Sequence, residues 1–177
     1  MSRTGNREIK KLSCKLDIKE NEIIISSSKG NLSVPLHSNV NVEVLDEVVI
    51  VRRKDDSKKS KELHGLTRSL IQNAITGLTD GYTKKMFLQG IGYRVQQKGS
   101  NLEFSLGYSH PVVFKLDEGV KAVVEGTDKF TLTSIDKQLI GQVCANIKSL
   151  RKKDSYKGKG IFFEGEVIKK KPGKSVK

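Results

Sequence analysis

The chain repeats itself, and a repeat of this length restricts it to two copies of one small fold. Asn21 to Val44 and Asn101 to Val124 share a pattern at an offset of 80 residues. Glu22-Ile-Ile-Ile25 is answered by Leu102-Glu-Phe-Ser105, and Leu32, Val34, Leu36 and Val40 by Val112, Phe114, Leu116 and Val120. After a change in loop length the offset becomes 76, which aligns Leu63, Gly65 and Ile71 with Leu139, Gly141 and Ile147. Each copy runs from a period of two to a period of 3.6, so strands precede a helix.

In the first copy, Lys15–Ile18 and Glu22–Ile25 flank Lys19-Glu-Asn21, a hairpin pattern with Asn at the turn. Asn31–Leu36, Val40–Val44 and Val48–Val51 follow at turn-length gaps, which predicts five short strands in one antiparallel meander. Asp55-Asp-Ser57 offers N-cap oxygens where the period changes. Leu63, Leu66, Leu70, Ala74 and Leu78 then form one helical stripe, and Gly81 suits the C-cap. Lys61, His64, Arg68 and Gln72 mark the opposite face, expected to point outward. In the second copy, Ser134 and Asp136 are the expected caps and Leu139, Val143, Ile147 and Leu150 the stripe. The opposite face there reads Lys137, Ile140, Cys144 and Lys148, so it is expected to be partly covered, unlike its counterpart.

The fold class is therefore α+β: a tandem duplication of a small antiparallel β-meander packed with one α-helix. The expected divisions are a basic N-terminal arm (1–11), a first domain (12–81), a second domain (82–168) and a basic C-terminal tail (169–177).

Charge says what such a pair of domains meets. The chain carries 33 Lys/Arg against 20 Asp/Glu, a net of +13. Lys148 to Lys177 alone hold eleven against three, a net of +8. A core does not need that excess; a polyanion does, either nucleic acid or an anionic membrane surface. The low aromatic content (6%) and lack of tryptophan disfavour a broad stacking platform for single strands. Two cysteines, Cys14 and Cys144, do not make a stapled scaffold and read as free thiols in a reducing compartment. The N-terminus lacks an apolar core and no run approaches the length of a membrane span, so neither a signal peptide nor a transmembrane helix is expected.

Converging reactive groups are scarce. His37, His64 and His110 lie far apart without metal-ligand spacing, and each reads as a surface or turn residue. Ser109 lacks the Gly-x-Ser-x-Gly elbow and sits in a turn ended by Pro111. Gly90-Ile-Gly92 begins a dinucleotide fingerprint, but Val95 stands where its third glycine belongs. The two glycines mark a bulge or close backbone approach; Arg94 beside them is either a phosphate contact or a solvated strand residue. No catalytic residue, metal or cofactor is expected. The strongest local signal is Tyr156-Lys-Gly-Lys-Gly160, preceded by Lys148, Arg151, Lys152 and Lys153. Glycines let main-chain N–H groups reach a phosphate, and the lysines supply charge. Tyr156 either packs on a ribose or base or pins the loop. Lys169, Lys170, Lys171 and Lys174 add to the same basic stretch.

Ser2-Arg-Thr-Gly5, Leu63-His-Gly-Leu-Thr-Arg-Ser-Leu70, Gly90-Ile-Gly-Tyr-Arg94, Gly107-Tyr-Ser-His-Pro111 and Tyr156-Lys-Gly-Lys-Gly-Ile161 together resemble the landmarks of a family. It is the large-subunit ribosomal protein L-six family of bacterial or organellar type, and the resemblance runs from Ser2 to about Lys174. It implies a non-catalytic large-subunit protein of two similar α+β domains. The second domain and tail would bind large-subunit rRNA near the sarcin-ricin loop, among neighbouring ribosomal proteins and close to docking translational GTPase factors. No membrane or DNA partner is implied, and the location would be the ribosome of a bacterial cytoplasm or of an organelle such as a plastid. Carried onto this chain, Arg94, His110, the Tyr156–Ile161 loop with Lys157, Gly158, Lys159 and Gly160, and the terminal lysines would contact rRNA, with Arg68 in the helix-one motif. The chain departs from the family at Lys152, Lys153 and Ser155, and at Glu8, where prolines are usual; the approach to the loop is thus expected to be less rigid. The alternative is a non-ribosomal RNA-binding module with a basic tail. An enzyme for a phosphorylated substrate lacks a base or metal site here, and a protein-interaction scaffold with an incidental basic tail would keep its partner binding when Ala145 to Lys177 are deleted.

Overall fold

The computed structural model describes residues 5–173; Arg3 and Lys174, expected in the basic arm and tail, lie outside them. The described chain clusters into two compact units, divided at Gly81/Tyr82, with Ile135–Lys137 counted in the first.

In the first unit, strands β1 (Ile9–Lys10), β2 (Lys15–Ile18), β3 (Glu22–Ser27), β4 (Gly30–Pro35), β5 (Val40–Val44) and β6 (Val48–Arg53) precede α1 (Lys58–Thr79). They do not make one meander. The ladder breaks after Pro35, giving one antiparallel sheet ordered β2-β3-β4 and another ordered β1-β6-β5. A strand inside the expected arm completes the second sheet: Ile9 pairs with Val49 and is fully buried. Its pairing partner lies forty residues away, which a local period does not announce. Helix α1 packs on β3, β4, β5 and β6, so both sheets share one aliphatic core that includes Ile23, Ile25, Val49, Ile71 and Ile75. Burying those side chains is the main driving term for a unit of this size.

The start of α1 is built as its sequence suggests. Ser57 is the N-cap and its Oγ accepts the Ser60 N–H at 3.2 Å, while Asp55 Oδ1 accepts from the Ser57 N–H at 3.1 Å. At the other end Gly81 adopts φ +84° and donates its N–H to Thr76 O at 3.2 Å.

The buried face of α1 is turned from the expected one. Leu66 is half exposed, whereas Ser60, His64, Thr67, Ile71, Ala74, Ile75 and Leu78 are buried. His64, expected at the surface, is 2% exposed, and its Nε2–H donates to Val51 O at 2.8 Å. Gly5 lies against the imidazole so closely that a Cβ there would sit 2.5–2.9 Å from three ring atoms. The expected contrast between the helices therefore disappears: the arm covers in helix one what apolar residues occupy in helix two. Gly5→Ala should lower first-unit stability by about 1–3 kcal/mol, because the tethered ring cannot retreat. Thermal unfolding followed by far-UV circular dichroism reads this, and an unchanged midpoint would reject it.

The second unit contains β7 (Tyr82–Gln89), β8 (Arg94–Lys98), β9 (Asn101–Ser105), β10 (Val112–Lys115), β11 (Val120–Glu125), β12 (Lys129–Ser134), α2 (Lys137–Leu150) and β13 (Gly160–Phe163). Its sheets are ordered β10-β9-β8 and β11-β12-β7-β13. The duplication is plain in these orders: β8 to β12 repeat β2 to β6, and β7 stands beside β12 as β1 stands beside β6. Among the described residues strand β13 has no counterpart in the first copy. The offset of 80 fails by one residue at a strand. Ile23 opposite Val34 corresponds to Leu102 opposite Phe114, an offset of 79. Because side chains alternate faces, that slip decides which residues are buried: Ile23 and Ile25 match Leu102 and Phe104. Ile140, Val143, Cys144 and Ile147 of α2 join this core, so its Ile140/Cys144 face is covered as expected. Cys14 and Cys144 are both buried and unpaired, and burial pushes both thiols up.

Candidate nucleic-acid interface

The basic stretch is mounted between α2 and β13. Strand β13 adds to β7, pairing Gly160 with Gln89 and Phe163 with Met86, and Ile161 and Phe162 are fully buried. By sequence alone this segment ends a loop. Its signal was the apolar run Ile161-Phe-Phe163, too short to separate a strand from a loop anchor by period.

Between these anchors Asp154 shapes the turn. Its Oδ1 accepts the Tyr156 N–H at 2.9 Å and its Oδ2 the Lys157 N–H at 3.0 Å. Its own carbonyl accepts the Gly158 N–H at 3.0 Å, and its N–H donates to Lys159 O at 2.9 Å. The Tyr156 and Lys157 amides hold the Asp154 carboxyl below its ordinary range. This corrects the phosphate-cradle expectation: the N–H groups of Tyr156, Lys157 and Gly158 are already engaged. The glycines serve the backbone instead. Gly158 adopts φ +69°, and Gly160, at φ +143°, would bring a Cβ within 3.0 Å of Lys153 Cα. What the turn offers outward is side chains. Lys157 is exposed, Lys159 is half-buried, and Tyr156 is 61% exposed, too open to pin the loop.

Arg151 is set by aromatic neighbours that no local pattern announces. Its guanidinium lies 4.8 Å from the Tyr108 ring centre, and Tyr108 Oη donates to Leu150 O at 3.0 Å. Hydrogen bonds to Tyr108 and then Tyr93 push the Arg151 pKa further up. Tyr93 is buried, with its ring against Gly90, where a Cβ would come within 2.8 Å, and beside Gly107. The close approach at Gly90 is thus made by a side-chain ring, not by the backbone expected there. These contacts draw the Gly90–Arg94 and Gly107–Pro111 loops to the start of the basic connector. Arg94 opens β8 and is exposed; His110 is exposed in its loop.

The other basic residues divide. Lys152 is exposed, as are Lys169, Lys170 and Lys171. The tail folds back at one point, where Lys171 N–H donates to Ser155 O at 2.9 Å, and the Lys170 stem lies beside Gly158. Lys148 and Lys153 both reach Glu166, a residue that nothing in its spacing marks. The segment expected to be loose is held by Lys153 and Asp154. Arg68 belongs to the first unit, where it donates to Arg7 O at 3.3 Å and Glu8 O at 3.5 Å. It ties the arm to α1.

Among the described residues no group of three or more His, Cys, Asp or Glu is placed to hold a metal ion, and no helix is long and apolar enough to cross a membrane. The arrangement is a rigid turn carrying cations and one exposed aromatic ring, suited to phosphates and sugars. The family model for Ribosomal protein L6 matches residues 13–81 and 89–163, one segment in each copy of the duplication.

Proposed function

The chain belongs to the ribosomal protein L6 family, and from that membership we propose where on it the RNA is held. As a member it is a structural protein of the large ribosomal subunit that binds rRNA among neighbouring large-subunit proteins. The proposed contact surface is the second unit's turn and its surroundings: Arg94, His110, Arg151, Lys152, Tyr156, Lys157, Lys159 and the tail lysines Lys169, Lys170, Lys171 and Lys174. The proposed target is rRNA near the sarcin-ricin loop, beside the docking region of translational GTPase factors.

The observation that carries this reading is the turn closed by Asp154. Four hydrogen bonds fix the backbone around it while Lys157 and Tyr156 project outward. Binding by such a surface is mainly electrostatic, with lysines neutralising phosphates and releasing counterions. Tyr156 adds a stacking or ribose contact without sequence preference.

Chemical footprinting of large-subunit rRNA tests the site. Protection around the sarcin-ricin loop is expected with the wild-type protein and should weaken when Lys157→Ala and Lys159→Ala are combined. Protection elsewhere only, or protection untouched by the double change, rejects this assignment.

A further inference from the structure

Two of the basic residues in this region are not free to act as the others do. Lys148 Nζ lies 2.9 Å from Glu166 Oε2 and 3.2 Å from Oε1, and Lys153 Nζ also hydrogen-bonds Oε1. The Phe163 N–H donates to Glu166 Oε2 at 3.1 Å, and the Glu166 N–H returns to Phe163 O at 3.1 Å. Lys148 Nζ also sits 4.3 Å from the Phe163 ring centre. Gly165, at φ +80°, makes the turn that aims this carboxylate back. Three separate segments thereby meet at one carboxylate: the last turn of α2, the connector before Asp154 and the turn after β13. Glu164, two residues earlier, is exposed and makes no such junction.

We propose that Glu166 is a positioning residue that withdraws Lys148 and Lys153 from phosphate neutralisation and uses them to fix the RNA-binding turn. The inference rests on the rRNA-binding reading above and divides its basic residues into two classes. Lys148 and Lys153 hold geometry; Lys152, Lys157 and Lys159 meet RNA. The physical ground is competition. Bonds from two ammonium groups and one amide satisfy most of a carboxylate's acceptor sites, and charge-assisted bonds are stronger than neutral ones. The Lys153 bond, followed by those from Lys148 and the Phe163 amide, holds the Glu166 carboxyl at about 2, down from 4.5, so it stays charged at any working pH. A phosphate approaching Lys153 would compete with the Glu166 carboxylate for the same ammonium charge. Adjacent Lys152 has no such tie to Glu166.

The consequence is a difference between neighbouring lysines that charge alone does not give. Salt titrations of the full chain on intact large-subunit rRNA read it as the slope of log K against log salt. Lys152→Met should flatten the slope by about 0.7–0.9, the amount for one phosphate. Lys153→Met should leave the slope at the wild-type value while weakening binding by a similar factor at every salt concentration. On a random-sequence duplex RNA, Glu166→Gln should steepen the slope by about 0.7–0.9 for each lysine released, whereas Glu164→Gln, the same change in net charge, should not. Equal flattening by Lys152→Met and Lys153→Met overturns the proposal, and so does equal behaviour of the two Glu→Gln variants. If Glu166→Gln does not fold, the lysine pair still decides. Wild-type protein binding rRNA with no salt dependence would instead defeat the electrostatic reading itself.

Discussion

Changing Lys152, Lys157 and Lys159 together to alanine should weaken binding to large-subunit rRNA about 100-fold near 0.15 M salt, and flatten the salt slope by about 2 to 2.7. Each phosphate neutralised contributes roughly 0.7–0.9 to the slope, which at that salt is worth about 0.6–0.7 in log K. Three lost contacts therefore account for both figures. The substitutions should leave the fold in place, because the Asp154 turn uses the backbone amide or carbonyl of Tyr156, Lys157, Gly158 and Lys159, not lysine ammonium groups. Unchanged circular dichroism with a large loss of affinity is the expected pair of results. A slope within 0.5 of wild type would mean that these side chains do not meet phosphates. The same triple change should reduce incorporation into large subunits, since binding to rRNA precedes stable residence there.

The second large effect concerns stability. Phe104→Ala should cost the second unit about 3–5 kcal/mol, a large part of the stability of any small unit. Phe104 is fully buried and meets Phe130 edge-on, with ring centres 5.6 Å apart. Truncation leaves a void between β9 and β12 that neighbouring strands cannot close without shifting register. All four tyrosines and six phenylalanines follow Gly81, so tyrosine fluorescence reports this unit alone. The expected result is a fluorescence midpoint lowered by about 1–5 M urea, given ordinary slopes. The first unit has an aliphatic core with Ile25 at the matching position, and its unfolding should be followed by backbone signals. A fluorescence midpoint within 0.3 M of wild type would contradict the packing. Loss of rRNA binding should accompany unfolding, because β13, which carries the turn, is paired to β7 of the same unit.

Much of this architecture is legible along the chain. Alternating Ile23, Ile25, Leu32 and Val34 mark strands because successive side chains face opposite ways, and Ser57 and Gly81 end α1 by satisfying orphaned helix-end groups. The duplication was visible in order and spacing. Less visible were features that need a partner from elsewhere. Ile9 has too few neighbours to show a period, yet it is fully buried beside β6. His64 is polar and sits where a helical wheel places the outward side; the arm then closes over it through Gly5. A residue's face is defined by what covers it, and a wheel contains only the helix.

The candidate site divides the same way. The basic run and its glycines stood out because composition and adjacency are local properties, and the positive φ of Gly158 and Gly160 is a local demand that glycine meets. Their purpose differed from the expected one because Asp154 had taken the main-chain donors. Nothing local distinguishes Lys152 from Lys153. Sequence by itself determined two copies of an α+β unit, a helix in each and a concentration of positive charge after the second helix. Tertiary structure alone decided that β13 anchors that charge, that Tyr108 aligns Arg151, and that Glu166 claims Lys148 and Lys153. Periodicity records which way a side chain points along its own element. Pairing of charges depends on distances between elements, and those exist only once the chain has closed.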